Sequence, residues 1–143
     1  DVINSLVSNN IRVCGHLGLQ PQLVVDSSGY KVQGRDEADA KSILDNAKLL
    51  ESIGISILVL ECIPSNLAKL ITKKLKIPTI GIGAGKDCDG QVLVSYDMLG
   101  ITLGRQPRFV RNFLSSESSI SSAIKAFVSE VKEGSFPKKS ESY

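Results

Sequence analysis

The chain has no tryptophan, one histidine (His16), one methionine (Met98), four phenylalanines and three tyrosines among 143 residues. Nowhere does it approach the ~20 consecutive apolar residues that a bilayer-spanning helix needs, and its opening residues do not resemble a signal peptide. Seventeen basic residues face fifteen acidic ones, leaving a formal charge of only +2. So small an excess points to neither a nucleic acid nor an anionic membrane as partner. Three cysteines, Cys14, Cys62 and Cys88, are too far apart for a zinc-ligand pattern, and their odd number argues against a disulfide framework. A reducing compartment fits, and a cytoplasmic location is expected. The sequence also lacks an initial methionine and opens on Asp1 directly into helix-like sequence, so it is expected to be part of something longer. No short repeat and no low-complexity linker divides it. With 42% hydrophobic residues, it has enough apolar material for one core, and it is too short for two comfortable domains.

What is there alternates. Val2, Ile3, Leu6 and Val7 make a short helical face, and residues 11–14 read as a strand running into Gly15-His16-Leu17-Gly18-Leu19. A glycine-containing polar stretch leads to a well-signalled helix. Asp36 stands at its N-cap, Glu37 and Asp39 lie in its first turn, and Gly54 is placed for the left-handed C-terminal residue. Residues 55–60, apolar but for Ser56, then read as a strand buried on both faces. Pro64 or Ser65 opens a helix to about Lys76, with Lys73, Lys74 and Lys76 complementing its dipole. Residues 78–82 predict a third strand and residues 92–94 a fourth. A last helix over 119–132 carries Ile120, Ala123, Ile124, Phe127, Val128 and Val131. The polar tail, residues 135–143, is expected to fray. Strand alternating with helix is the pattern of a parallel α/β protein. Periodicity alone does not separate an open doubly wound sheet from part of a (β/α)8 barrel.

The strongest chemical signal is Glu61, directly at the C-terminal end of the apolar run. A carboxylate is rarely left buried without a partner, and ligands gather at that end of α/β strands. Alternatively, such a Glu simply reaches solvent or caps the following helix. His16, two residues past Cys14, is a donor or proton shuttle if it neighbours Glu61, and otherwise an ordinary structural histidine. Gly81-Ile82-Gly83-Ala84-Gly85 follows a strand but lacks the lysine and Ser/Thr of a phosphate loop. Lys86 also stands where a dinucleotide fingerprint needs its third glycine. A tight turn or close packing explains it better. Gly29-Tyr30-Lys31-Val32-Gln33-Gly34-Arg35 is either a basic lip over an anionic substrate or an exposed loop. Asp87 and Asp89, two acids without further ligands, are weak evidence for a cation site.

Several blocks together resemble the ketopantoate hydroxymethyltransferase family: Val13-Cys14-Gly15-His16-Leu17-Gly18-Leu19-Gln20-Pro21-Gln22, the block from Gly29 to Arg35, Leu58-Val59-Leu60-Glu61-Cys62-Ile63-Pro64, Ile80-Gly81-Ile82-Gly83-Ala84-Gly85 and Asp89-Gly90-Gln91-Val92-Leu93-Val94. Pro107-Arg108-Phe109-Val110-Arg111-Asn112-Phe113 is similar too. The resemblance runs over essentially the whole chain. One departure is Tyr96 before Asp97, where many relatives have histidine.

The resemblance implies a TIM barrel, (β/α)8, which needs ~250 residues. This chain would then be a single partial domain over residues 1–143: the C-terminal half, strands five to eight, plus C-terminal helices. It implies transfer of a one-carbon unit from 5,10-methylenetetrahydrofolate to 3-methyl-2-oxobutanoate, giving 2-dehydropantoate for pantothenate and coenzyme A synthesis. Glu61 falls on the family's catalytic proton acceptor, and His16 on a histidine near the substrate. The family's magnesium ligands, like its substrate-binding serine and lysine, belong to the N-terminal half, so no metal ligand is assigned in this chain. Family members form large homo-oligomers, and the chain alone is expected to be inactive. Two rival readings are a non-enzymatic half-barrel that associates through its cut edges, and another metal-dependent barrel lyase acting on 2-oxo acids.

Overall fold

The computed structural model describes residues 1–21 and 31–143. Among these residues four strands form one sheet: β1 (Cys14–Gly18), β2 (Ile57–Glu61), β3 (Thr79–Ile82) and β4 (Gly90–Gln91). All neighbours are parallel, and their spatial order is their chain order. Among the described residues five α-helices accompany them: α1 (Val2–Ser8), α2 (Glu37–Ile53), α3 (Ser65–Lys74), α4 (Ser95–Met98) and α5 (Ile120–Lys132). The strand order bears on the architectures left open above. A doubly wound sheet reverses its order and carries helices on both faces. Here the order never reverses, and the connecting helices α2 and α3 share one apolar cluster with Leu58 and Leu60 of β2. The arrangement is a parallel α/β sheet consistent with part of a TIM barrel.

The helix boundaries follow from capping chemistry. The Asp36 carboxylate accepts the Asp39 N–H at 2.8 Å, and Gly54 closes α2 in the left-handed conformation at φ +99°. The Glu51 carboxylate accepts the N–H groups of Lys76 and Ile77, so α3 ends at Lys74 and the chain turns into β3. Ser119 and Ser122 cap α5 reciprocally.

Three expectations need correction. The first strand lies at Cys14–Gly18 rather than residues 11–14, so His16 is mid-strand and not beyond its end. Pairing sets this position: the register with β2 runs from Cys14 opposite Ile57 to Gly18 opposite Glu61. The glycines that weaken local strand propensity are needed for close approach, because a Cβ on Gly18 would sit 2.0 Å from the Glu61 carbonyl oxygen. The fourth strand is Gly90–Gln91, earlier than residues 92–94. Its start is pinned by the Asp89 carboxylate, which accepts the N–H of Thr79 at 2.8 Å and its hydroxyl at 3.0 Å.

The tail, finally, is packed and not frayed. Phe136 is buried and meets Phe113 and Phe127 edge-on at centroid distances of 5.3 and 5.5 Å. Arg111 pairs with Glu130 of α5 and with Glu141, and its guanidinium lies over the rings of Phe113 and Phe136 at 5.0 and 4.9 Å. Ser65, at the start of α3, donates its N–H to the Tyr143 carbonyl at 2.8 Å. Charges brought together from three separate segments outweigh the tail's polar composition. Among the described residues no helix is long and apolar enough to cross a membrane.

Candidate active site

Side chains alternate along a strand. In β2 this sends Leu58 and Leu60 toward α2 and α3, and Val59 and Glu61 to the opposite face. His16 is in register with Val59 and so shares that face, one step below Glu61. Its Nε2 lies 3.0 Å from Glu61 Oε2. Nε2 is buried, and its close contact with the carboxylate, the only polar neighbour shown among the described residues, lacks the geometry of a regular hydrogen bond. The Glu61 side chain is 11% exposed and that of His16 33%. Burial raises the Glu61 pKa above the ordinary carboxylate value, while the facing His16 charge and contact pull it partly back. A carboxylate raised in this way is a stronger base than a solvated one, which suits it to accept a proton.

Cys62 follows Glu61 directly. It is fully buried, and burial, with the Glu61 charge beside it, pushes its thiol up to about 12. At neutral pH it is a neutral thiol and not a nucleophile. Its backbone is left-handed at φ +49°. Nothing in the local sequence pattern announced this.

The other sequence candidates are placed elsewhere. Asp87 pairs with Lys69 at 3.1 Å, and Asp89 is occupied by Thr79. The glycine run serves close packing: a Cβ on Gly83 would come 2.7 Å from the Phe109 ring and one on Gly85 2.5 Å from Ser65 Cβ. Gly29 and Tyr30 of the candidate basic lip lie outside the described residues. The remainder of that block ties in at Gln33, whose N–H donates to the Cys62 carbonyl at 2.9 Å. Gly34 and Arg35 line a cleft of about 390 Å³ together with Pro64, Asn66 and Leu67. A second cleft of about 270 Å³ lies beside Ser65, Lys86 and Lys139. Neither is lined by Glu61 or His16. Among the described residues no group of three or more His, Cys, Asp or Glu side chains is placed to hold a metal ion.

A glutamate at a strand end beside a histidine is compatible with many reactions; comparison with known proteins narrows them. Residues 1–139 match the family model described as ketopantoate hydroxymethyltransferase. The chain belongs to that family. It is 57% identical over 136 residues to the 3-methyl-2-oxobutanoate hydroxymethyltransferase of Ruthia magnifica, an alignment covering 95% of this chain and 52% of that protein. The enzyme of the same name from Buchnera aphidicola (Schizaphis graminum) is 52% identical over all 143 residues, and a probable one from Schizosaccharomyces pombe is 49% identical; each is covered over 54% of its length. The chain thus spans about half the length of the curated ketopantoate hydroxymethyltransferases it matches. Histidine and glutamate are 45 positions apart in sequence, and strand pairing brings them into contact. Sequence reasoning missed Arg111 as the anchor of the tail, because its partners Glu130 and Glu141 carry no local signal.

Proposed function

We propose that this chain supplies the proton-accepting carboxylate of a hydroxymethyl transfer from 5,10-methylenetetrahydrofolate to 3-methyl-2-oxobutanoate, giving 2-dehydropantoate. The observation that carries the proposal is Glu61: a buried carboxyl of raised pKa at the C-terminal end of a central parallel strand, in contact with His16. Glu61 removes the proton from C3 of the 2-oxo acid, and the carbanion so formed bonds to the methylene carbon as its C–N bonds to the folate are broken by one water, whose oxygen becomes the new hydroxyl and whose hydrogens leave tetrahydrofolate protonated. His16 steadies the Glu61 carboxylate and offers a donor to the substrate's carboxylate or to the new hydroxyl. The singly wound sheet supports reading the chain as strands five to eight of the barrel, with C-terminal helices closing around them.

Magnesium would stabilise the enolate by withdrawing charge. The described residues do not form a site for it, and in this reading its ligands lie in the part of the relatives' length that this chain does not match. The exposed stripe of Ile120, Ile124 and Val128 on α5 suits the homo-oligomer expected of the complete enzyme.

The test is exchange of the C3 proton of 3-methyl-2-oxobutanoate for deuterium in the presence of magnesium. It is run with this chain alone and with this chain joined to the unmatched N-terminal portion of the Ruthia magnifica relative. The chain alone is expected to be inactive and the joined protein active, with Glu61→Gln lowering exchange by roughly 10²–10⁴-fold. Exchange that survives Glu61→Gln in the joined protein removes Glu61 from the role. Glu61-dependent exchange by the chain alone shows that the remaining half is dispensable.

A further inference from the structure

We propose that Cys62 is a positioning residue for Glu61, acting through its left-handed backbone and not through its thiol. The proposal deepens the reading of Glu61 as proton acceptor and rests on it for its functional meaning.

Alternation breaks at Cys62. Leu58 and Leu60 face α2 and α3, so in a continued strand Glu61 and residue 63 would share the opposite face. Instead Ile63 is fully buried in the same cluster as Leu58 and Leu60, while Cys62 joins the other cluster with Ile82 and Phe109. The chain therefore changes phase by one residue at Cys62, where φ is +49°. Glu61 becomes the last side chain on the His16 face, and the chain can turn at once into Pro64 and α3.

The neighbouring main chain fixes this conformation from several sides. The Cys62 N–H donates to the Ile82 carbonyl at 2.9 Å, and the Cys62 carbonyl accepts the Gln33 N–H at 2.9 Å. The Glu61 carbonyl accepts the Leu19 N–H at 2.9 Å. A residue held in a sparsely populated region persists when its surroundings over-determine it, and such residues cluster at functional sites. The side chain must also be small and unbranched, because Cys62 is fully buried and its sulfur stands only 3.3 Å from where a Cβ on Gly83 would lie. Glycine and alanine fit both demands, and valine meets neither. The titratable groups that face Glu61 among the described residues are His16 from β1 and Cys62 on its own turn, while β3 brings only Ile80 and Ile82 to that face.

The test uses the 143-residue chain with ¹³C-labelled glutamate, the Glu61 carboxyl being assigned by its loss in Glu61→Gln. Carboxyl and His16 ring resonances are titrated in the wild type and in Cys62→Gly, Cys62→Ala and Cys62→Val. The wild type should show a raised Glu61 titration that responds to His16. The glycine and alanine variants should reproduce it, since they keep the backbone and discard the thiol. The valine variant should move the Glu61 titration down toward the ordinary carboxylate value, with the His16 response lost. An unchanged titration in Cys62→Val overturns the proposal, as does a shift in either small-residue variant. Should the valine variant fail to fold, the glycine and alanine variants still decide. If the titrations behave as expected while exchange in the joined protein ignores Glu61→Gln, the base assignment fails and the placement of Glu61 by Cys62 stands.

Discussion

Replacing Gly18 by alanine tests whether the contact between β1 and β2 is what holds the His16–Glu61 pair together. Two costs arise. The first is conformational: Gly18 has φ +95°, and an L-residue in left-handed backbone costs roughly 1–2 kcal/mol. The second is steric. The new Cβ would lie 2.0 Å from the Glu61 carbonyl oxygen and 2.8 Å from Ile63 Cγ2, and the first obstacle is main chain that cannot rotate away. Overpacking of this kind adds about 1–3 kcal/mol. The expected loss is therefore about 2–5 kcal/mol, a large part of the ~5–15 kcal/mol that holds a domain of this kind folded. Gly134 provides the control, because it has φ +69° and nothing within 4 Å of a built Cβ. Gly134→Ala should show only the conformational cost of about 1–2 kcal/mol. Urea unfolding followed by circular dichroism measures both, and their difference isolates the steric part. Because Gly18 is opposite Glu61, relief of the clash must push β1 away from β2 and open the 3.0 Å contact. Equal losses in the two variants would refute the reasoning, since they would mean that β1 does not lie against Glu61 as described.

The remaining predictions concern charge and access. Arg111→Met should destabilise the chain by about 2–4 kcal/mol, less than for a fully buried pair because the three side chains keep some solvent, and should make the tail cleavable by trypsin at Lys138 and Lys139. Burial works against the Glu141 carboxylate, but hydrogen bonds from Arg111 and from the Lys138 N–H hold its pKa below the ordinary value of 4.5. Its stabilising contribution is therefore complete above pH 4.5 and lost as pH falls through the lowered value, so this acid-side loss should shrink in Arg111→Met. For Glu61 the sign is opposite: burial raises the folded pKa, and stability falls as pH rises from 4.5 through the raised value. Glu61→Gln should consequently raise the melting temperature more at pH 7 than at pH 4, and a gain independent of pH would argue against burial as the cause. Native alkylation with iodoacetamide at pH 8 should label exposed Cys14 first and leave Cys62 untouched, since a buried thiol pushed up to about 12 holds only ~10⁻⁴ of its population as thiolate. Peptide mass mapping reads the order, and early labelling at Cys62 would contradict its packing.

Legibility in the sequence tracked how local each determinant is. The span of α2 could be read because Asp36, Glu37, Asp39 and Gly54 each act within one turn of the helix ends. The strand Ile57–Glu61 could be read because burial on both faces demands a near-continuous apolar run, and Glu61 stood out because it ends that run with a carboxylate. The position of β1 could not, since residues 11–14 look more strand-like than Gly15 to Gly18 and only pairing with β2 reverses that preference. The tail misled in the same way. Its polar composition reads as fraying, yet Glu141 finds Arg111, thirty residues away in sequence, and Phe136 finds two aromatic partners.

Cys62 lies at the far end of this scale. A cysteine after a strand carries no signal for left-handed backbone, because the preference belongs to three hydrogen bonds made with β3, with the segment after β1 and with Gln33. The same long-range bonds that hide the feature from the sequence make it useful. A strand end set by its own residues would leave Glu61 free to follow the alternation of β2 into the loop. One held from three sides leaves it a single place, buried beside His16, where its affinity for a proton is raised. The acid is therefore legible in sequence while its basicity is not, because the residue type is a local property and the environment that tunes it is assembled from β1, β3 and the turn between β2 and α3.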